Sequence, residues 1–440
     1  MTTQNAPSSI YRDKEGLGIW EHRGKVAAVG IGHSPTARRW DGRPESTVGA
    51  LALDALRKAI ADSGVDPADI DGLVMDGTTT TGAHWTAGDP IPQDFIEYFN
   101  PSSDPLDGLA KLSSEWILKN MPELTNVKFT MYGPGCMSNS IVVAAQAVGD
   151  GLTNTCLVLK GWHNFAGRYY QGGENALDTV PGTKGISSIW GTPASYGTAL
   201  QFAEYCRKYN KTHDMMAPAI VQWKKNGLVF PEGFWAQHRP EEITAEDYIS
   251  ARWIAKPANL FDNDIPIMVT GAYLFTTAER AQDMKQKPVY ILNHVSSRGK
   301  ARSLTPTLEE VEAETASTGR KIFEGAGITA NDLSFENMYD GFALFHQFHL
   351  EGLGFRGIKF GEALDFYQTD ISPQGQNPVS PSGGNVGSGR TRFWMHTDCI
   401  QQIQGRAGKR ALTKVKPEIG VSGGPMPTGG NFTVWSSTPG

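Results

Sequence analysis

Apolar and polar positions along this chain follow two alternating periods. KVAAVGIGHS (25–34) is an apolar run of strand length, and STVGALALDALRKAIADSG (46–64) repeats its apolar residues at helical spacing and stops at a glycine. GVDPADIDGLVMDG (64–77) then supplies a short Asp-containing connection and a second strand. The same order returns 263 positions later in PVYILNHVSS (288–297), LEEVEAETASTGRKIFEGAG (308–327) and GITANDLSFENMYDGF (327–342). In that ungapped register Val26 meets Val289, Val48 meets Val311, Gly64 meets Gly327 and Asp69 meets Asp332. Each copy reads as a βαβ unit, whose crossover favours a parallel sheet. The unbroken register points to a duplication.

Both copies continue in kind. In the first, strand NVKFTMY (126–132) leads through GPG into the helix-like CMSNSIVVAAQAVGDG (136–151), then strand CLVLKGW (156–162). Helix YGTALQFAEYCRKYN (196–210) and strand IMVTGAYLFTT (267–277) follow. The second copy adds SGGNVGSGR (382–390), a helix ending QQIQGRAG (401–408), GVSGG (420–424) and GGNFTVWSS (429–437). The expected organisation is an extension at 1–24, one half at 25–284 and a second at 285–440. Excursions at about 163–195 and 211–262 have no counterpart in the second half, and long excursions from an α/β core tend to carry function.

Composition narrows the class. The 440 residues carry a net charge of −6 with scattered Lys and Arg, which argues against nucleic acid as the main partner. No apolar run reaches 18 residues, and the first 25 lack the apolar centre of a secretory leader, so a cytoplasmic location is expected. Four Cys without a CxxC pair indicate neither a disulfide framework nor a zinc site. Glycine is in excess, at 50 residues, and clusters at 133–135, 382–389, 422–424 and 428–430. Such loops let backbone approach a ligand and aim N–H donors at it.

KVAAVGIGHSPTARR, CMSNSIVVAAQAVGDG, ITAEDYISARWIAKP (243–257), VTGAYLFTTAERA (269–281), ENMYDGFALFHQF (336–348), SPSGGNVGSGR (380–390) and the C-terminal SGG stand in the order of a known family. From about residue 25 onward the chain resembles the thiolase superfamily. It is nearest the branch of thiolase-like lipid-transfer proteins and steroid side-chain aldolases. The resemblance implies an α/β fold of two βαβαβαββ halves in a five-layered αβαβα sandwich. It also implies acyl-CoA substrates, with coenzyme A entering as part of the substrate, and a homodimer core. Aldolases of this branch pair with a DUF35 subunit (an OB-fold and a zinc ribbon), which implies a heterotetramer.

Cys136 matches the family nucleophile. At a helix N-terminus a thiolate is favoured and can attack a thioester, while a buried inert thiol is the other reading. Cys156, Cys206 and Cys399 sit in apolar patterns that suit core packing. Three other positions depart from the thiolase pattern. Tyr339-Asp340-Gly341-Phe342 replaces Asn-Glu-Ala-Phe, Gly389-Arg390 replaces Gly-His, and Ser422 stands where a second Cys precedes Gly423 and Gly424. Arg390 cannot act as a base near neutral pH, and a lone Ser hydroxyl is a poor one, so the thiolytic machinery is incomplete.

Retro-aldol cleavage of a 3-hydroxyacyl-CoA needs a base for the hydroxyl proton and stabilisation of a thioester enolate. Tyr339 or Asp340 suits the first role, and Arg390 with backbone N–H groups around Gly383, Gly384, Ser422, Gly423 and Gly424 suits the second. Tyr339 would need a lowered pKa or would act together with Asp340. A strand-end Tyr and a helix-capping Asp are the structural alternative. His396 replaces the missing family His if the helix register shifts. His346 and His349 lie one turn apart without further ligands for a metal. Aromatics at 162–195 and 223–235 either line a bulky apolar tunnel or pack beneath long loops. The favoured function is retro-aldol cleavage (or the reverse condensation) of a bulky acyl-CoA from steroid or aromatic degradation. A Cys136-dependent thiolytic acyltransferase and a non-catalytic acyl-CoA binder stand as alternatives.

Overall fold

A computed structural model describes residues 11–76, 90–109, 111–133, 137–162, 196–298, 306–426 and 429–440. Cys136 and the excursion at 163–195 lie outside the described residues. The 263-residue offset survives in three dimensions. Strand β1 (Val26–His33) and helix α1 (Val48–Ser63) lead to β2 (Gly72–Met75); β6 (Val289–Arg298) and a longer helix, α5 (Leu308–Ala326), lead to β7 (Phe335–Met338). Both helices end at a left-handed glycine, Gly64 (φ 73°) and Gly327 (φ 64°). Thr47 and Thr307 cap their starts, each accepting from a backbone N–H three residues on, as orphan N–H groups require.

The first copy adds β3 (Phe129–Tyr132), α2 (Met137–Gly149), β4 (Thr155–Trp162) and β5 (Val269–Thr277), with α3 (Tyr196–Tyr209) and α4 (Ala217–Leu228) between the last two strands. The second adds α6 (His346–Leu353), α7 (Gly384–Ser388), α8 (Trp394–Gln404), β8 (Ile419–Met426) and β9 (Gly429–Ser436). The strands form one nine-stranded sheet in the order β3-β2-β4-β5-β1-β6-β9-β8-β7. The two copies meet where β1 pairs antiparallel with β6, Ala27 against Tyr290 and Ala28 against Val289. The sheet is mixed, which corrects the expectation of a parallel one. Each crossover leaves β1 or β6 and lands three strands away, and of the two strands passed over in each copy, β5 and β9 run antiparallel to both their neighbours.

Three apolar clusters give the layering. One packs α1 on β1, β2 and β4, and another packs α5, α6, α3 and α4 on the second copy. Between them lies a cluster that draws on α2, α8 and strands of both copies. Helix α2 is apolar nearly all round because it is covered on both sides, as a central helix must be. This is the α/β thiolase-like arrangement.

Helix α7 crosses α4 at glycines. A Cβ on Gly387 would lie 2.1 Å from the Trp223 carbonyl oxygen, and one on Gly227 would lie 1.8 Å from that of Gly387. Backbone on both sides leaves no flexible group to yield. Gly387→Ala is therefore expected to lose about 1–3 kcal/mol, the range for overpacking. Gly197→Ala, in helix α3 with nothing within 4 Å, is expected to gain up to about 1 kcal/mol. Denaturant melts of the two variants check the contrast, and equal stabilities would contradict the close crossing.

Candidate active site

The end of β7 is the focus. Tyr339 follows the strand directly, donates its N–H to Gly423 O at 2.8 Å, and is 1% exposed. Its ring stem lies on Gly424, whose φ of 132° admits no side chain and whose Cβ would fall 2.3 Å from the Tyr339 Cβ. Asp340 turns the other way and is wholly buried. Its carboxylate accepts from Asn385 N at 2.7 Å, Asn385 Nδ2 at 3.1 Å and Val386 N at 3.1 Å, capping the first turn of α7. Burial pushes its pKa up to about 6, against the pull of those donors.

Helix α7 ends at Gly389, and Arg390 enters the same region, its N–H donating to Ile265 O at 2.9 Å. That contact aligns Arg390 with the segment before β5 and brings in Asp264, a residue the sequence did not single out. Asp264 donates its N–H to Gly341 O at 3.0 Å, and its Oδ2 lies 3.8 Å from Arg390 Nε, both side chains being buried. Tyr339 Oη and Asp264 Oδ2 converge on one spot, for a Cβ on Gly341 would meet them at 2.1 and 2.5 Å. Burial raises the Tyr339 pKa, the charge of Asp264 raises it further, and Arg392 and Arg390 oppose the rise. The phenol is neutral near pH 7, so of the two routes open to Tyr339, a lowered pKa or joint action with a carboxylate, the raised pKa speaks against the first.

A second group joins β8 to α2. His396 is wholly buried in α8, with Nδ1 2.7 Å from Ser422 Oγ and Nε2 2.8 Å from Ser138 Oγ, while Trp435 Nε1 donates to Ser422 Oγ at 2.7 Å. Burial pushes its pKa down to about 3, so the imidazole is neutral and one hydroxyl must donate where the other accepts. Ser138 stands on the first turn of α2, two positions after Cys136.

The glycines of the SGG loops are all buried. Gly383 and Gly384 face the backbone of α4 and the carboxylate of Asp340, where a Cβ would approach within 2.3 and 2.1 Å. Their lack of a side chain thus serves packing inside the protein, and Gly423 and Gly424 are held between β9 and Tyr339. Cys156 and Cys399 are buried and Cys206 is half-buried, with thiol pKa values raised by burial. His346 bonds Tyr367 Oη at 2.7 Å and approaches Glu336 at 3.3 Å, whereas His349 packs on Phe432. Trp223, Phe230 and Phe234 are core residues, so the aromatics of 223–235 largely pack rather than line a tunnel. In the excursion at 211–262, Tyr248 Oη lies 2.7 Å from both His213 Nε2 and Asp262 Oδ1, a buried knot that ties the two ends of the excursion together.

These features give the chain a thiolase-like fold. Residues 298–430 match the family described as thiolase C-terminal domain-like. The chain is 26% identical over 420 residues to 17-hydroxy-3-oxo-4-pregnene-20-carboxyl-CoA lyase of Mycobacterium tuberculosis, covering 90% of this chain and 94% of that protein. It is 26% identical over 375 residues to a steroid side-chain-cleaving aldolase of Thermomonospora curvata, covering 83% and 86%. The solved structure of an Ltp2-ChsH2(DUF35) aldolase superposes with a TM-score of 0.73 at 21% identity, covering 94% of this chain and 98% of that one. The resemblance to the steroid side-chain aldolase branch extends over nearly the whole chain.

The neutral His396 makes a pH prediction. Its folded pKa lies below the usual value of 6.5, so its contribution to stability is full above pH 6.5 and is lost as pH falls toward 3. Its ring proton resonances are expected to stay unshifted from pH 8 to pH 5, and His396→Gln is expected to flatten the acid limb of the stability profile. A titration midpoint near 6.5 in the folded protein would contradict the burial.

Proposed function

We propose that this chain cleaves a C–C bond in an acyl-CoA thioester by retro-aldol chemistry, acting on a 3-hydroxyacyl-CoA with a bulky acyl group. The observation that carries the reading is the convergence of Tyr339 Oη and Asp264 Oδ2 beside Arg390, at positions where the family's thiolytic residues are replaced. The 3-hydroxyl proton passes to Tyr339 Oη as the phenol's own proton passes to Asp264. The C2–C3 bond then breaks, C3 becomes a carbonyl, and the electron pair enters the thioester as an enolate, whose C2 takes back the proton left on Asp264 by way of Tyr339. Arg390, with Arg392 close enough to act on the Tyr339 phenol, stabilises the enolate charge. Asp340 is a positioning residue that holds α7 and hence Arg390. Neither the acid–base relay nor the enolate requires a covalent acyl-enzyme at Cys136.

Two partners belong to this reading. Edge strand β3 has neighbours on one side only and exposes Thr130 and Tyr132, which suits pairing with a second copy of the chain. The neighbouring aldolase structure is described with a DUF35 subunit, which supports a partner of that kind; joined to the pairing of two chains, it gives the heterotetramer of this reading. No helix of the described residues is long and apolar enough to cross a membrane, and a cytoplasmic location is the reading taken.

The test offers the purified protein, with and without a DUF35 subunit, a set of 3-hydroxyacyl-CoA and 3-oxoacyl-CoA thioesters. Cleavage of the 3-hydroxy compounds into a carbonyl product and a shortened acyl-CoA is expected, independent of free CoA. Tyr339→Phe and Asp264→Asn are expected to lower turnover by about 10²–10⁴-fold, the scale of general acid–base catalysis, and Cys136→Ala to leave it nearly unchanged. Cleavage confined to 3-oxoacyl-CoA with free CoA, lost in Cys136→Ala, would establish the thiolytic alternative. Binding without turnover would establish the non-catalytic one.

A further inference from the structure

The excursion at 211–262 holds an arrangement that the cleavage chemistry does not use. Lys224, on α4, is 7% exposed, and its Nζ stands 3.3 Å from the centre of the Trp235 ring. Arg239 Cζ approaches the same ring at 5.5 Å. Lys224 has no hydrogen bond or ion pair among the described residues, and Trp235 Nε1 is buried without a hydrogen-bond partner. Glu241, the acidic group whose charge acts on Lys224, is exposed and pairs with Arg239 at 3.5 Å. The ammonium of a buried lysine contacts an aromatic face that Arg239 also approaches, and no carboxylate pairs with it among the described residues. Burial above all, with the charge of Arg239 adding to it and that of Glu241 opposing it, brings the Lys224 pKa down to about 7.

A cation over an indole face recovers only part of what the ammonium loses on leaving water, and the Trp235 N–H recovers nothing. As a structural device the cluster is costly. As a binding site it is poised, because the ammonium and the guanidinium both approach one indole whose own N–H is unpaired. The cluster flanks the reaction site through α7. The Trp223 carbonyl faces Gly383 and Gly387, and Phe234, next to Trp235, faces Gly389, one residue from Arg390.

We propose that Lys224, Trp235 and Arg239 form a subsite for an anionic oxygen group of the ligand, a phosphate or a carboxylate held away from the bond that breaks. That the ligand is a thioester rests on the function proposed above; the anion site itself does not. The phosphates of the coenzyme and a carboxylate at the far end of an acyl chain share this chemistry.

Calorimetric titration at pH 8, without turnover, separates the cases. The probes are CoA, which carries phosphates and no acyl chain, and an acyl-pantetheine ending in a carboxylate, which carries no phosphate. One of the two is expected to bind with proton uptake, read from the heat in buffers of different ionisation enthalpy. Lys224→Met is expected to weaken that probe at least tenfold and abolish the uptake. Lys224→Arg is expected to keep the affinity without the uptake, since a guanidinium does not titrate there. The Met variant is also expected to melt no lower than wild type, because replacing a costly buried charge does not destabilise. Loss confined to CoA assigns the phosphate, and loss confined to the other probe assigns the carboxylate. A Met variant that binds both probes within twofold of wild type overturns the proposal. An aldolase that passes its activity test while failing this one retains its function without the subsite.

Discussion

The second copy's share of the site depends on one buried carboxylate. Asp340 has no access to water, and a carboxylate so placed survives only if hydrogen-bond donors replace its hydration. The donors are the free N–H groups at the start of α7 and the amide of Asn385. Asn385 extends the connection, because its Oδ1 accepts from Thr391 N and Arg392 N at 2.9 Å each. Asp340 thus sets where α7 starts and, through Asn385, how the chain turns after Arg390. The glycines of the helix let it lie against α4, so the cap, the crossing and the arginine form one unit.

The repeat was legible because it is a local pattern. Strand, helix, glycine stop and strand recur at one offset, and the structure keeps that offset from Val26 and Val289 through Met75 and Met338. Strand order was not legible, since the pairing of β4 with β5 joins segments more than a hundred residues apart and no periodicity encodes it. Tyr339, Asp340 and Arg390 were visible as departures from a family pattern. Asp264 was not, because it precedes β5 as one acidic residue among several and gains meaning only when Gly341 and Arg390 fold beside it. The glycine clusters were recognised as close approaches. Gly383, Gly384 and Gly387 make theirs to other parts of the protein.

The Ser422–His396–Ser138 chain shows how a fold keeps a frame when its chemistry changes. With Ser at position 422, the space beside α2 holds a hydroxyl, a neutral imidazole and a second hydroxyl, all buried and all bonded. Such a chain carries no net charge, so it requires no counter-ion, and it ties β8 to the first turn of α2 across the central layer. His396 therefore accounts for a contact between two copies of a duplicated unit while staying uncharged.

The raised Tyr339 pKa decides how proton transfer and charge stabilisation are coupled. A phenol beside a carboxylate resists becoming a phenolate, because two negative charges would share one dry site. In the relay proposed above, Tyr339 is then a conduit that accepts one proton while releasing another to Asp264. When Asp264 takes that proton it loses its charge, and the positive field of Arg390 and Arg392 loses its counterweight. In retro-aldol cleavage this happens as electrons arrive on the thioester oxygen, so the cationic field is strongest when the enolate forms. Thiolysis draws less benefit, because its thiol is deprotonated before the C–C bond breaks, so that the proton transfer and the enolate fall in separate steps. The arrangement of Tyr339, Asp264 and Arg390 therefore favours breaking a bond beside a hydroxyl over attacking one with sulfur.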